Sequence, residues 1–116
     1  MFESLFSELD VALPGLKAVS VVGNDGIEVD QFIKGEMAHD VLSAEMTGIT
    51  RTLDRLQIEM GFGKLHEIVV RTDHQNVFIF SLANGLFILL VTEASTSTGK
   101  ARYEVQKIAY KFSELL

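Results

Sequence analysis

The residues with the strongest claim to chemistry lie just before the last helical segment. Ser95-Thr96-Ser97-Thr98-Gly99-Lys100-Ala101 follows the apolar run Leu86-Phe87-Ile88-Leu89-Leu90-Val91, the strand-to-helix setting of a phosphate-binding loop. Such a loop needs a glycine five positions ahead of Gly99 and a hydroxyl after Lys100 to hold magnesium. Ala94 and Ala101 stand there instead, so the segment reads as the cap of a helix. The histidines, His39, His66 and His74, offer no pair spaced three or four residues apart, and zinc has no local ligand pair. His39 is expected at a helix start, His66 at the beginning of a strand and His74 in a turn, all ordinary surface positions. Paired carboxylates need a sheltered pocket that separates their pKa values. Asp25 falls in a turn, and Glu28 and Asp30 share what reads as the solvated face of one strand. No serine sits in a Gly-x-Ser-x-Gly elbow, and there is no cysteine to act as nucleophile, thiolate ligand or disulfide partner. Neither a self-contained active site nor a cofactor or metal is expected.

Composition narrows the class further. The chain has 116 residues, 47% hydrophobic and 22% charged, which fits one domain spanning residues 1–116. Net charge is −6, against a surface built to neutralise nucleic-acid phosphates. Nine of the acids fall in residues 1–50 beside only two basic residues, Lys17 and Lys34, and keep an apolar domain in solution. The apolar run Leu86 to Val91 is six residues long, far short of the roughly 20 that a membrane-spanning helix needs. Met1-Phe2-Glu3-Ser4 places no basic region ahead of an apolar stretch, so no secretory leader is expected. The absence of cysteine points to a reducing compartment, and a cytoplasmic protein is expected.

The elements that must carry these residues follow from periodicity. Phe2, Leu5, Phe6, Leu9, Ala12 and Leu13 predict an amphipathic helix over 2–13, ended by Pro14-Gly15. Ala18–Val22 and Ile27–Ile33, joined by Gly23-Asn24-Asp25-Gly26, predict a hairpin. A long helix is predicted from His39 to Met60 and closed by Gly61-Phe62-Gly63. Strands are predicted over 65–72, 76–82 and 86–92, the last apolar on both faces and therefore central in the sheet. A final helix is predicted over 100–116.

The long helix is the most informative element. Leu42, Met46, Ile49, Leu53, Leu56 and Met60 recur at steps of three and four, and this stripe is assigned to the helix's own sheet. Val41, Ala44, Gly48, Thr52 and Ile58 widen the apolar or small surface beyond that stripe. Gly48 costs a helix interior roughly 1 kcal/mol relative to alanine. Small residues let a second backbone come close, so a helix-mediated dimer is expected. In that dimer Thr47, Arg51, Asp54, Arg55 and Glu59 are expected on the outer side. Arg51 and Arg55, one turn apart, suit charge-assisted hydrogen bonds to the acidic loops of a partner.

Several segments together resemble the Roadblock family across essentially the whole chain. They are Pro14-Gly15-Leu16-Lys17-Ala18-Val19, Asn24-Asp25-Gly26, Met60-Gly61-Phe62-Gly63, Leu65-His66-Glu67-Ile68-Val69-Val70 and Asn84-Gly85. That family includes dynein light chains, MglB-type bacterial regulators and the lysosomal scaffold subunits that hold Ras-like GTPases. The resemblance implies an α/β sandwich of the Roadblock/profilin-like kind, in the order α-β-β-α-β-β-β-α. Its five-stranded antiparallel sheet would carry the long helix on one face and the two terminal helices on the other. It also implies a homodimer, with Val41, Ala44, Glu45, Gly48 and Thr52 of the helix and Glu67, Ile68, Val69, Val70, Arg71 and Thr72 of an edge strand at the interface. The function implied is a non-enzymatic adaptor that binds a small Ras-like GTPase and, in MglB-like members, stimulates GTP hydrolysis without an arginine finger. Thr47, Arg51, Asp54, Arg55 and Glu59 would then meet the GTPase. A structural scaffold or motor-complex light chain and a small-molecule sensor stay open as alternatives, and an apolar pocket with convergent polar groups would mark the sensor.

Overall fold

The computed structural model describes residues 1–116. In chain order the elements are α1 (Glu3–Ala12), β1 (Leu16–Val22), β2 (Glu28–Ile33), α2 (His39–Glu59), β3 (Glu67–Arg71), β4 (Gln75–Ser81), β5 (Phe87–Glu93) and α3 (Thr98–Leu115). All five strands form one antiparallel sheet in the order β2-β1-β5-β4-β3. The central place of β5 is as expected: six of its seven residues are buried, which a strand covered on both faces requires.

Alternation along the strands divides the core between two faces. Val19, Val21, Phe78, Phe80, Ile88 and Leu90 point to one face and pack with Leu5, Phe6 and Leu9 of α1 and Val105, Ile108 and Phe112 of α3. Phe2, Phe6 and Phe112 meet there with ring centroids 5.3–6.1 Å apart. Val22, Ile79, Phe87 and Leu89 point to the other face, where Met46 of α2 covers them. One face therefore carries a sixteen-residue cluster and the other a cluster of five.

Local signals fix the ends of these elements. The hairpin turns on Gly26 at φ 85°, with the Gly26 amide donating to the Gly23 carbonyl at 3.0 Å and the Asp25 carboxylate accepting from the Ile27 amide at 3.0 Å. The long helix ends where Gly61 takes φ 75° and the amides of Gly61 and Phe62 donate to the carbonyls of Ile58 and Gln57. That pair of bonds is a Schellman cap. Ser97 Oγ accepts from the Lys100 amide at 3.2 Å, so the serine-threonine run caps α3, as expected.

Two expectations are corrected here. First, Glu28 and Asp30 do not share a solvated face. Val22 pairs with Glu28 but Val21 pairs with Asp30, which leaves Val29 as an extra residue. This bulge breaks the alternation and sends the two carboxylates to different helices. Glu28 goes to α2, while Asp30 accepts from the Phe2 amide at 3.0 Å and holds the start of α1. Burial works to raise the Asp30 pKa, but the amides of Phe2 and Gln31 and the Met1 ammonium together hold the carboxyl below its ordinary value.

The second correction concerns α2. Of its expected sheet-facing stripe only Met46 is buried and Leu42 and Leu53 are half-buried, while Ile49, Leu56 and Met60 are 48%, 45% and 59% exposed. The helix instead lays the neighbouring side, Ser43, Met46, Thr47, Thr50 and Asp54, toward the sheet. That side can be buried because its hydroxyls are satisfied. Thr47 and Thr50 donate to the carbonyls four residues back at 2.7 Å each, and Ser43 donates to Glu28 at 2.9 Å.

The two-sided core sets an order of energetic importance. Replacing Phe112 with alanine, at the centre of the larger cluster, should destabilise the fold by about 3–5 kcal/mol in urea unfolding. A loss below about 1 kcal/mol would mean that this cluster is not what holds the domain together.

Candidate functional site

The chain leaves uncovered the exposed side of α2 and both edges of the sheet, β2 and β3, of which β3 is the edge expected at a dimer interface. Val41, Ala44, Glu45, Gly48 and Thr52, expected to face a second copy, are all exposed. Glu45, Gly48 and Thr52 share a shallow notch with Ile49 and Leu53. A Cβ built on Gly48 meets no atom within 4 Å, so nothing in the chain's own packing calls for glycine there. Beyond the notch the apolar surface continues through Leu56, Met60 and Phe62, the last 71% exposed. Exposed apolar side chains gathered on one flank of a small domain are a feature of interaction surfaces.

The edge strand completes the uncovered surface. β3 pairs with β4 on one side only, so its other row of backbone groups faces outward. Of the residues expected at this edge, Ile68 and Val69 are half-buried, and Val70 and Arg71 are exposed. Glu67 turns to α3, where Arg102 Nε donates to its carboxylate at 3.1 Å. Thr72 lies just past the strand, its hydroxyl donating to the Gln75 carbonyl at 2.6 Å in the turn to β4.

The five residues expected on the outer side of α2 separate into two groups. Arg51, Arg55 and Glu59 are exposed, with Arg55 Nε 4.0 Å from Glu59, a solvated pair of small energetic weight. Thr47 is only 4% exposed and Asp54 is half-buried, its carboxylate accepting from the Leu65 amide at 3.1 Å. The reason is the rotation of the helix described above, which brings both against the sheet.

His39 begins α2, as expected, but its side chain is not at an ordinary surface position. Its Nδ1 lies 2.8 Å from a Glu28 carboxylate whose side chain is 9% exposed, with Ser43 Oγ on the same oxygen. The cluster ties β2 to the first turn of α2. The bulge at Val29 that makes it carries no obvious signal in the sequence. His66 and His74 are exposed, as expected.

Sequence reasoning also missed a groove on the opposite flank of α2 from the notch. It lies between the helix and the end of the sheet and takes in Asn24, Arg51, Lys64 and Asn84. Lys64 and Asn84 are far from α2 in sequence, and only the folded sheet brings them to it.

No protein-family model matches the chain. Two uncharacterized proteins of Methanocaldococcus jannaschii are each 23% identical to it over 101 residues, 87% of this chain and 88% of theirs. Among solved structures, a Roadblock/LC7 domain from Streptomyces avermitilis superposes with a TM-score of 0.86 at 17% identity, covering 97% of this chain and 94% of that one. The chain has the Roadblock fold. MglB of Myxococcus xanthus shares that Roadblock fold with it at a TM-score of 0.84 and 13% identity, over 98% of this chain and 95% of its own. MglC of Myxococcus xanthus is 26% identical at a TM-score of 0.72, over 99% of this chain and 98% of its own. The expected sandwich is thus observed, with the long helix alone on one face of the sheet and the terminal helices on the other. No helix is long and apolar enough to cross a membrane.

The division of the polar residues of α2 can be measured. Replacing Asp54 with alanine strands the Leu65 amide and should cost about 1–2 kcal/mol in urea unfolding. Replacing Arg55 with alanine should cost less than about 0.5 kcal/mol, because its pair with Glu59 is solvated. Equal costs would contradict the assignment of Asp54 to the fold.

Proposed function

We propose that this protein is a non-enzymatic homodimeric adaptor that binds a small Ras-like GTPase. The observation that carries the reading is the apolar flank of α2, from Ile49 through Leu56 to Met60, left outside a domain whose sheet also has an open edge at β3. Two copies that align these helices and pair these edges would cover both at once. Gly48 supports the arrangement. A glycine in mid-helix with open space around it costs stability and leaves room for the close approach of a second backbone. Val41, Ala44, Glu45 and Thr52 would surround the contact, with Ile68, Val70 and Arg71 at the strand edge.

The likeness to MglB and MglC structures supports a regulator or adaptor over a catalyst. Arg51, Arg55 and Glu59 are exposed, and where the paired helices leave them uncovered they would offer two guanidinium groups to the acidic switch loops of a GTPase. Thr47 and Asp54 are left out of this surface, since both face the chain's own sheet. Stimulation of GTP hydrolysis would follow from ordering those loops, with no arginine finger supplied by this chain.

Two measurements test the two parts separately. Light scattering should find a dimer at micromolar concentration, and Gly48→Glu should shift it to monomer while circular dichroism keeps the helix signal. A monomeric unmodified protein refutes the dimer. Pull-down from native lysate with mass spectrometry should recover a small GTPase, and Arg51→Glu with Arg55→Glu should abolish its capture by an intact dimer. Binding that survives within about threefold, a change of ~0.6 kcal/mol, places the GTPase elsewhere.

A further inference from the structure

The groove on the far flank of α2 shares Arg51 with the proposed GTPase surface, but Lys64, Asn24, Asn84 and its apolar lining are used by neither dimerisation nor GTPase docking. Its volume is about 370 Å³, inside the usual range for small-molecule sites of about 300–1,000 Å³. Its apolar lining comes from Ile58, Leu82, Leu86 and Phe87. Around that lining stand the side chains of Arg51, Lys64, Asn24 and Asn84, all donors of hydrogen bonds.

The charges decide what such a groove would hold. Neither Arg51 nor Lys64 lies within ion-pair distance of any carboxylate, which is also true of Lys17, Arg71 and Lys100, but Arg51 and Lys64 are the two that line this groove. The one acid in the groove, Asp54, has an oxygen engaged by the Leu65 amide. The groove thus carries a net positive charge on a chain of net −6. An inorganic anion would leave the apolar lining wet, and a neutral apolar molecule would leave two cations without a partner.

The walls are also held in place before any ligand arrives. Ser81 Oγ donates to the Leu65 carbonyl at 2.9 Å and the Ser81 amide to the His66 carbonyl at 2.9 Å, which fastens the segment carrying Lys64 to β4. Asn84 occupies the left-handed region at φ 62°, in the turn whose amide–carbonyl bond from Leu86 to Ala83 spans 3.3 Å. Asn24 meets this turn from the β1–β2 hairpin, since a Cβ on Gly85 would touch its side chain at 3.5 Å. Preformed walls lower the ordering cost of binding.

We infer that this groove is a binding site for a small organic anion, an anionic head on a short apolar body, with Arg51 and Lys64 on the head and Leu82, Leu86 and Phe87 on the body. Arg51 is shared with the proposed GTPase surface, but Lys64, Asn84 and the apolar lining belong to neither that surface nor the dimer surface, so Lys64→Ala tests the groove separately from the adaptor reading. A carboxylate and a phosphate monoester share the required chemistry.

Amide chemical shifts of the isotope-labelled full chain test it directly. The probes are octanoate, octyl phosphate, neutral octyl glucoside and inorganic phosphate, each kept below any micelle concentration. At least one of the two anionic amphiphiles should give saturable shifts centred on Leu65, Asn84, Gly85 and Leu86, and which one does so identifies the head group. Lys64→Ala should weaken binding several-fold and Arg51→Ala with Lys64→Ala at least about tenfold. Both side chains are exposed and without ion-pair partners, so these variants should retain the wild-type spectrum outside the groove. The site is refuted if neither anionic amphiphile saturates, or if octyl glucoside or inorganic phosphate binds as tightly. It is equally refuted if the double variant binds unchanged, or if the shifts fall on Gly48 and Thr52 in the notch.

Discussion

A helix can lie with its hydroxyl-bearing side on a sheet only if every hydroxyl it buries finds an acceptor. In α2 that condition is met by Thr47 and Thr50, which turn back on their own helix, and by Ser43, which reaches Glu28. Asp54 adds a fourth tie, to the Leu65 amide. The bonds within the helix allow that side to be buried, the two that leave it, from Ser43 to Glu28 and from the Leu65 amide to Asp54, fix its rotation about its axis, and the surface of the domain follows from that rotation. The apolar flank with Ile49 and Leu56 is turned outward, with Gly48 beside it, and the flank with Arg51 and Ile58 is turned over the end of the sheet. One face of the helix serves the fold, a second presents an apolar surface, and a third walls a groove.

The two faces of the sheet carry this load unequally. The terminal helices seal a large cluster that includes three phenylalanines in mutual contact, and its residues are almost wholly inaccessible to water. Across the sheet, α2 contributes a single fully buried apolar side chain, Met46. Free energies of local opening track buried apolar contact, so the α2 layer is the softer half of the molecule. A partner laid over α2 would stabilise the half that most needs it, which couples assembly to the integrity of the domain.

Much of the fold is legible in the sequence because its boundaries carry unambiguous chemistry. Pro14-Gly15, Asp25-Gly26, Gly61 and Asn84-Gly85 each allow a backbone conformation that ends one element before the next begins, and the apolar run of β5 fits only a strand covered on both faces. The rotation of α2 is not legible in the same way. Two adjacent stripes run along the helix, one of leucines, isoleucine and methionines, the other of serine, threonines and an aspartate, and the greasier one is the natural choice for the core. What overturns that choice is the partners found by the polar side chains, two of them distant in sequence, the Glu28 carboxylate and the Leu65 amide. Glu28 arrives only because the bulge at Val29 breaks the alternation of β2. The groove was hidden for a related reason, since Asn24, Arg51, Lys64 and Asn84 lie on four separate elements or loops and meet only in the folded sheet.

The strand order has a consequence for how the chain acquires this shape. The first strand lies between β2 and β5, so one of its neighbours is supplied at once by the hairpin and the other only by residues Phe87–Glu93. Pairing over so long a stretch of sequence must meet a large loop-closure entropy before it gains any contact energy, which slows folding. During synthesis α1 and the first hairpin emerge with an apolar face that has nothing to cover it until β5 and α3 follow. The acids concentrated in residues 1–50 then have a role that the finished structure conceals: they keep the early half of the chain soluble while it waits for the late half.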